Sequence, residues 1–183
     1  MIARPDGWAG NSPRSGTMTI AGLTFTVTQA GFNAISNPGF EGGTAPWVLS
    51  GQAAWSTGQF PHSGTGYVSL GQLDNTTSTV FQTIVVPAGG AKLSFALNTT
   101  TTEPITSGND QLFIEVRSTS AQLLQRLFLF TTLNQHNNAP GNYTIMGQFS
   151  LNAFAGQTVR IQFRAINDSS LPTTFRLDDV VVQ

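Results

Sequence analysis

The chain has 183 residues, a formal net charge of -1 and only 9% charged residues, so its length fits one β-sandwich with a short extra element, or at most two small domains. The eight basic residues include a single lysine, Lys92, and this balance excludes nucleic acid and anionic membranes as partners. Cysteine is absent, which excludes disulfides, thiolate metal sites and thiol nucleophiles and leaves oxygen ligands or the two histidines for any metal ion.

Targeting signals are missing from the sequence itself. Residues 1–10 contain no apolar run long enough for a signal peptide, and no stretch approaches the roughly 18 apolar residues of a transmembrane helix. Threonine, serine, asparagine and glutamine make the surface polar without charge, as is common in extracellular β proteins. We therefore expect an extracellular or cell-surface protein whose export signal is not part of this sequence.

The first predicted element is a β-hairpin. Apolar and polar residues alternate through 17–20 and 23–29, on either side of an Ala21-Gly22 turn. A lone hairpin is marginally stable in water, so we expect its apolar side to pack on something.

The hairpin sequence resembles the last two strands of a BACON-like domain, a small immunoglobulin-like module of secreted bacterial multidomain proteins. The residues that carry the resemblance are RSGTMTIAG at 14–22 and FTVTQ at 25–29. It implies that residues 1–31 are the remnant C-terminal hairpin of such a domain and that residues 32–183 form the main module. In the alternative interpretation the hairpin is an N-terminal extension, built into the edge of the main sandwich.

Strands are predicted along the rest of the chain. Apolar residues alternate with polar ones at 93–97, 112–117 and 159–165, which is the period of a half-buried strand. The run 123–130 is ambiguous between strand and helix, but its threonine flanks and aromatic content favour a buried strand. We expect roughly ten short strands and no helix.

Turn-rich segments at 87–90, 106–110 and 137–142 separate these strands. Many short strands with regular turns are typical of two antiparallel sheets that bury alternate side chains between them. The sequence therefore predicts an all-β protein, an antiparallel β-sandwich of the jelly-roll kind with an extra N-terminal β-hairpin.

Three segments resemble the galactose-binding-like jelly rolls, which include the family 4, 9 and 22 carbohydrate-binding modules and domains of secreted proteases. They are NPGFEGG at 37–43, GTGYVSL at 64–70 and TFRLDDV at 174–180. The resemblance implies a structural calcium ion with Glu41 and Asp178 as side-chain ligands, and backbone carbonyls of the first segment, from Asn37 to Gly43, as further ligands.

Elementary electrostatics agrees with a cation at this place. The first and last strands of a jelly roll are often neighbours, two nearby carboxylates repel each other, and calcium binds six to eight oxygens. In a regular strand, however, Asp179 and Asp178 face opposite sides, and Asp178 shares the side of Arg176. The alternative is therefore that Glu41 caps a turn and Asp178 pairs with Arg176 at the surface.

A second acidic group consists of Glu103, Asp110 and Asp168, which all lie in turn-rich segments. The segments TTE at 101–103 and NDSSLPTTF at 167–175 resemble secreted bacterial protease-associated modules, and this resemblance implies a second cation there. Turn and cap formation by the aspartates is the simpler interpretation.

Catalysis is not expected. Neither His62 nor His136 has an acidic neighbour in the sequence that would orient it, although a Ser-His-Asp triad is assembled in space rather than along the chain. Glycoside hydrolysis needs two carboxylates across a cleft, and the best-matched carboxylates are assigned to metal or structure.

Sugar sites combine exposed aromatic rings with amide or guanidinium groups. Trp55 and Tyr67 are our first aromatic candidates, with Asn98 and Gln148 as polar partners. Further candidates for partial exposure are Phe60 and Tyr143, whereas Trp47 matches the core tryptophan of the family; for each ring, packing in the core is the alternative.

Two functional hypotheses follow. The first is a non-catalytic carbohydrate-binding module, a monomer within a larger secreted or surface bacterial protein, that binds a polysaccharide or glycan. The second is a structural or adhesion spacer in which calcium serves stability alone.

Overall fold

The computed structural model describes residues 14–29, 32–104, 106, 108–134 and 138–183. Within these ranges the chain forms twelve β-strands and one short 3₁₀ turn. No helix in the described ranges is long and apolar enough to cross a membrane. The elements are β1 (Arg14–Ile20), β2 (Leu23–Gln29), β3 (Val48–Ser50), β4 (Ala54–Thr57), β5 (Gly66–Gly71), β6 (Thr77–Val85), β7 (Lys92–Thr100), β8 (Gln111–Arg117), β9 (Leu123–Thr131), β10 (Thr144–Ser150), the 3₁₀ turn (Asn152–Phe154), β11 (Thr158–Ile166) and β12 (Thr174–Val182).

Ten of these strands form two five-stranded sheets. The front sheet has the order β10-β7-β12-β5-β4, and the back sheet has the order β3-β6-β11-β8-β9. Every pairing within them is antiparallel. The predicted all-β antiparallel sandwich is therefore confirmed. The ambiguous run at 123–130 belongs to strand β9, but this strand is not buried as predicted, because it lies at the edge of the back sheet and most of its residues are exposed or half-buried.

The core lies between the inward faces of the two sheets. Phe95 of the front sheet contacts Phe163 of the back sheet edge to face, with 4.9 Å between ring centroids, and Phe130 and Phe175 meet in the same way at 6.0 Å. Phe95, Phe163 and Phe175 are fully buried, and burial of each such side chain stabilises the fold by roughly 1.5–3 kcal/mol. The apolar residues that alternate with polar ones in the sequence thus occupy the positions that face the core.

The two ends of the sandwich lie side by side. The N–H of Ala34 donates to the carbonyl of Val182 at 2.8 Å. The side chain of Asn33 accepts from the N–H of Val182 at 2.9 Å and donates to the carbonyl of Val180 at 3.1 Å. The segment before β3 is therefore fixed beside β12, as the jelly-roll resemblance implies.

The N-terminal hairpin forms a sheet of its own. β1 and β2 pair from Arg14 with Gln29 to Ile20 with Leu23, and they join neither sheet of the sandwich. The apolar side chains of one face are exposed, including Met18 at 51% and Phe25 at 49%. Residues 1–13, 30 and 31 lie outside the described ranges, so the domain boundary at 31 and the BACON-like origin stay predictions.

Candidate functional site

The last strand brings two consecutive carboxylates to the same loop. A bulge interrupts the register of β12 between Asp178 and Val181, and Asp179 has a positive φ of 46°. The carboxylate of Asp178 accepts the backbone N–H groups of His62 and Ser63 at 2.7 and 3.1 Å. That of Asp179 accepts the Ser63 hydroxyl at 2.8 Å. Regular alternation predicts opposite directions for these two residues, and the bulge removes that alternation.

Glu41 binds the next part of the same loop. Its carboxylate accepts the N–H and the hydroxyl of Thr65 at 2.9 and 2.8 Å, and the N–H of Gly66 at 3.1 Å. Gly64 allows this approach, because it has a φ of +57° and a Cβ there would lie 2.1 Å from Oε1 of Glu41. The loop 62–66, which we call the carboxylate-bound loop, is therefore held by three acidic residues.

The segment 37–43 is braced internally by Asn37. The side chain of Asn37 accepts the N–H of Glu41 at 2.7 Å and donates to the carbonyl of Gly43 at 2.9 Å, and its carbonyl accepts the indole N–H of the buried Trp47 at 2.9 Å. Asn37 and Gly43 thus contact each other. Both were predicted as cation ligands, and that role stays a prediction.

Gly39 is the residue of this segment that lies against the carboxylates of the last strand. A Cβ at Gly39 would lie 3.4 Å from Oδ1 of Asp179, 3.6 Å from Oδ1 of Asp178 and 3.8 Å from Cγ of Glu41. Gly39 therefore lies beside the carboxylates of Asp178 and Asp179 and the Cγ of Glu41, and the role of Glu41 and Asp178 as cation ligands stays a prediction. The pattern of alternating residues in β12 carried no signal for Asp179, because it does not reveal a bulge.

The two predicted ligand carboxylates have opposite pKa shifts. Burial raises the pKa of Asp178 to about 6, and the charge of Asp179 adds to this against the backbone N–H groups that lower it. The N–H groups of Thr65 and Gly66 lower the pKa of Glu41. A buried carboxylate whose ionised form is disfavoured, beside a second carboxylate, is the setting in which a cation stabilises the folded state.

The alternative assignment of these residues holds only for Glu41, which does bind a turn. Asp178 is fully buried and does not pair with Arg176. The guanidinium of Arg176 instead donates to Oδ1 of Asn98 at 3.0 Å and to the hydroxyl of Thr100 at 2.5 Å.

Glu103, Asp110 and Asp168 form a compact acidic cluster. Each of them places an oxygen within 4.8 Å of the others, and among the described residues they are the one group of three acidic or histidine side chains whose ligand atoms lie this close together. Burial raises the pKa of Glu103, and the charges of Asp110 and Asp168 raise it further, against a hydrogen bond from Thr132. The cluster therefore fits a hard cation in charge and in donor type.

The aspartates of this cluster also organise turns, as the simpler interpretation predicts. The carboxylate of Asp110 accepts the N–H groups of Asp168 and Thr173, both at 2.8 Å, and Oδ1 of Asp168 accepts the N–H of Ser170 at 3.0 Å. The two interpretations are compatible, because a carboxylate oxygen has lone pairs for both a donor and a cation.

The four residues predicted to contact a ligand do not form one surface. Trp55 pairs across the strands with the core residue Val68, and Tyr67 pairs with Ser56, so the two rings lie on opposite faces of the front sheet. Trp55 is 39% exposed, whereas Tyr67 and Asn98 are buried. Gln148 is exposed at the bulge of β10.

A different set of rings covers the outward face of the front sheet. The guanidinium of Arg176 lies 3.8 Å from the ring centroid of Phe60, Phe60 contacts Tyr67 at 6.4 Å, and His62 contacts Tyr143 at 5.2 Å. The hydroxyl of Tyr143 donates to the carbonyl of Phe60. We call Phe60, His62, Tyr67 and Tyr143 the aromatic cluster. Tyr67 is buried because rings from loops cover it, and the sequence does not reveal where these loops lie.

His62 has an acidic partner, contrary to the expectation from the sequence. Nδ1 of His62 lies 2.6 Å from Oδ2 of Asp179, and the hydroxyl of Ser63 donates to the other oxygen of Asp179. A catalytic triad requires the serine to donate to the histidine, whereas here both side chains bind one carboxylate. His136 lies outside the described ranges.

No protein-family model and no curated protein matches the sequence. Solved structures share the fold. A structure of TmCBM61 in complex with beta-1,4-galactotriose is similar with a TM-score of 0.61 and 16% identity, over 83% of this chain and 98% of that one. A second structure, of a carbohydrate-binding module from the β-sandwich superfamily described as having promiscuous specificity, is similar with a TM-score of 0.55 and 14% identity. The match covers 88% of this chain and 68% of that one.

The K3 cleaved adhesin domain of Lys-gingipain from Porphyromonas gingivalis w83 is similar with a TM-score of 0.55 and 18% identity, over 79% of this chain and 94% of that one. TM-scores above 0.5 at these low identities show a shared fold alone. The chain thus shares the β-sandwich fold of these carbohydrate-binding modules and of the adhesin domain, which agrees with the resemblance seen in the sequence at the level of the fold.

Proposed function

We propose that the chain is a non-catalytic carbohydrate-binding module with a structural calcium ion. The observation that carries the proposal is the continuity of the segment 60–66. One end of it supplies Phe60 and His62 to the aromatic cluster, and the other end is bound by Glu41, Asp178 and Asp179. A cation among these carboxylates would therefore fix the rings of a ligand site.

The aromatic cluster has the composition of a sugar site. Phe60 and Tyr143 are half-buried and His62 is exposed, so their rings offer apolar surface on which a pyranose ring stacks. Arg176 lies beneath Phe60 and donates to the buried Asn98, which places hydrogen-bonding groups close to the rings. Tyr67 and Asn98, the earlier candidates, would contact a sugar only after the covering loop moves.

The donor set of the carboxylate site fits calcium. Glu41, Asp178 and Asp179 offer carboxylate oxygens, and the segment around Gly39 offers backbone carbonyls, which are the ligands that calcium prefers. Bound calcium supplies charge compensation. It would offset the repulsion between Asp178 and Asp179 and the burial of Asp178. The acidic cluster of Glu103, Asp110 and Asp168 is a second candidate for the same cation.

The test is glycan binding, measured by affinity gel electrophoresis and calorimetry against neutral polysaccharides that include β-1,4-galactan. Tyr143→Ala is expected to weaken binding about tenfold or more, because truncation removes a stacking ring. Trp55→Ala is the matched control, since Trp55 lies on the other face of the sheet. Equal losses in both variants, or no retention of any glycan with calcium present, would refute a site at the aromatic cluster.

A structural or adhesion spacer is the second candidate function. It is favoured by the internal contacts of the aromatic cluster, in which Tyr143 already donates to Phe60 and Arg176 to Asn98. It predicts a melting temperature that rises with calcium but no glycan retention. In either case we propose a secreted or surface-exposed multidomain protein in which this module is monomeric.

A further inference from the structure

Half of the basic residues of the chain lie on one face of the fold. Arginines on β8, β9 and β11 alternate with inward side chains such as Val116 and Ile161, so they project outward from the back sheet. We call this surface the arginine face. It consists of Arg117, Arg126, Arg160 and Arg164.

The arginine face is strongly positive in a protein that is slightly acidic overall. Among the described residues of the back sheet, Glu115 is the only acidic side chain on the outward side, which leaves three positive charges in excess. The other described carboxylates belong to loops and to β12. The overall net charge of -1 therefore conceals two oppositely charged regions.

Aromatic rings of the sheet hold the guanidinium groups in place. Arg164 and Arg126 lie 4.1 and 4.7 Å from the ring centroid of Phe113, and Arg160 lies 4.5 Å from that of Phe81. Stacking of this kind orients the planar guanidinium and reduces the entropy that it loses when its N–H groups bind a ligand.

The arginine face already binds one carboxylate. Oε2 of Glu115 accepts from Nε of Arg117 at 2.8 Å, and Oε1 accepts from Nη2 of Arg164 at 2.8 Å. Glu115 is fully buried, while the side chains of both arginines are 20% exposed. The planar guanidinium of arginine matches the geometry of a carboxylate. The bonds of Arg117 and Arg164 to Glu115 are an example of such binding on the arginine face.

Neither of the two remaining arginines is paired with a carboxylate among the described residues. Arg160 lies directly opposite Arg117 in the ladder, and like charges in that position destabilise a sheet. Nη2 of Arg160 donates to the carbonyl of Thr119, and its Nε is buried without a hydrogen-bond partner in the described ranges, so Nη1 is the nitrogen left for a ligand. Arg126 is exposed, and its contact within the same ranges is the stacking on Phe113. These two residues therefore retain donors for a ligand.

We propose that the arginine face binds an acidic polysaccharide through the carboxylates of its uronic acid residues. The inference rests on the proposed function and extends it, because it assigns a second glycan surface on the side of the sandwich opposite the aromatic cluster. A five-stranded sheet face is broad enough for several sugar residues. Arg126 and Arg160 bind the ligand carboxylates, while Arg117 and Arg164 remain paired with Glu115.

The experiment compares polygalacturonate with neutral galactan, dextran sulfate and double-stranded DNA, by affinity electrophoresis at low and moderate salt with the full chain. Arg126→Gln and Arg160→Gln each remove one charge from the arginine face without breaking the pairs of Glu115. Lys92→Gln is the matched control, because it removes one charge from an exposed position at the start of β7 in the front sheet.

We expect retention by polygalacturonate that falls about tenfold in each arginine variant and is unchanged in Lys92→Gln. Binding of neutral galactan is expected to be unchanged in all three variants. No retention by polygalacturonate, or equal losses in Arg126→Gln and Lys92→Gln, would overturn the assignment.

Three further outcomes distinguish the ways in which the proposal can fail. If dextran sulfate and DNA bind as tightly as polygalacturonate, the face is a general polyanion surface and the assignment to uronates is wrong. If neutral galactan binds and polygalacturonate does not, the arginine face fails while the proposed function stands. If no glycan of either kind binds, both fail. Circular dichroism and the melting temperature of each variant verify that it is folded.

Discussion

Asp178 and Asp179 are consecutive in the chain, yet both carboxylates bind the same loop. The backbone N–H of His62 donates to Asp178, and the ring of the same histidine contacts Asp179. The bulge in β12 makes this possible, because it cancels the alternation that would separate the two side chains. Two negative groups are thereby held close together beside Gly39, and the stability of the loop becomes dependent on what compensates their charge.

Calcium is expected to raise the melting temperature, because a ligand that binds only the folded state stabilises it by about 2.7 kcal/mol at a concentration of one hundred times its Kd. Asp179→Asn is expected to reduce that rise, since it removes a candidate ligand. Asp74→Asn, at an exposed position, is the control. Thermal unfolding in calcium and in chelator measures both, and an equal calcium response in all three proteins would contradict the assignment.

The effect of Glu103→Gln on the free energy of unfolding is expected to change sign when calcium is added. In chelator, Glu103→Gln should stabilise the protein, because burial and the charges of Asp110 and Asp168 disfavour the ionised carboxylate, as its raised pKa indicates. In millimolar calcium the same variant should be destabilised relative to the native chain, because it lacks a ligand. Denaturant unfolding under the two conditions provides the measurement. Stabilisation of the same size in both would mean that the acidic cluster binds no calcium.

Gly64→Ala is expected to be much more destabilising than Gly42→Ala. Both glycines have a positive φ, +57° and +70°, so both variants pay the conformational cost of a side chain there, about 1 kcal/mol. At position 64 the added Cβ would also lie 2.1 Å from Oε1 of Glu41. At position 42 no atom would lie within 4 Å of the added Cβ. The difference in free energy of unfolding isolates the clash, and equal effects would argue against this position for Glu41.

Glu115 is expected to contribute to acid sensitivity. Burial opposes its ionisation, but the hydrogen bonds and charges of Arg164 and Arg117 outweigh this and lower its pKa below 4.5. A carboxyl group with a lowered pKa stabilises the fold above its unfolded pKa, and this stabilisation is lost as the pH falls through the folded value.

The free energy of unfolding of the native chain should therefore fall more steeply between about pH 5 and pH 3 than that of Glu115→Gln. Around neutral pH the variant should be less stable by about 1.5–3 kcal/mol, which is typical for hydrogen bonds to a charged group. Parallel curves for the two proteins across this pH range would show that Glu115 titrates normally.

Deletion of residues 1–31 is expected to leave the sandwich intact. The hairpin pairs with neither sheet, whereas the contacts of Asn33 and Ala34 with the last strand remain. The melting temperature of 32–183 should match that of the full chain, and less aggregation is expected because the apolar face of the hairpin is removed. A large drop in melting temperature would show that the hairpin is part of the sandwich.

The fold was predicted from the alternation of apolar residues together with the turn-rich segments and the family resemblance. Alternation placed Phe95 and Phe163 among the apolar positions of their strands, and both are buried. It also assigned Tyr67 to the outward face. Alternation describes one strand at a time, however, so it gave no register between β4 and β5 and did not reveal that Trp55 lies on the other face from Tyr67.

The candidate site depends on long-range contacts and could be predicted only in part. Glu41 and Asp178 were identified from the family resemblance, whereas Asp179 required the bulge and His62 required a contact between residues 117 positions apart. The loop that covers Asn98 and Tyr67 likewise has no local pattern. Turn residues indicate that a loop exists but not where it packs.

The pairing of Asn33 and Ala34 with Val180 and Val182 has a mechanical consequence. In a multidomain protein of the kind proposed above, segments attached before and after the sandwich would leave it at the same end, so tension between neighbouring domains would act on adjacent strands rather than across the core. Those few hydrogen bonds would open one after another, while the two sheets and both candidate binding faces stay folded. The module would then stay folded while the chain on either side of it is extended, and both of its candidate surfaces could still bind a ligand.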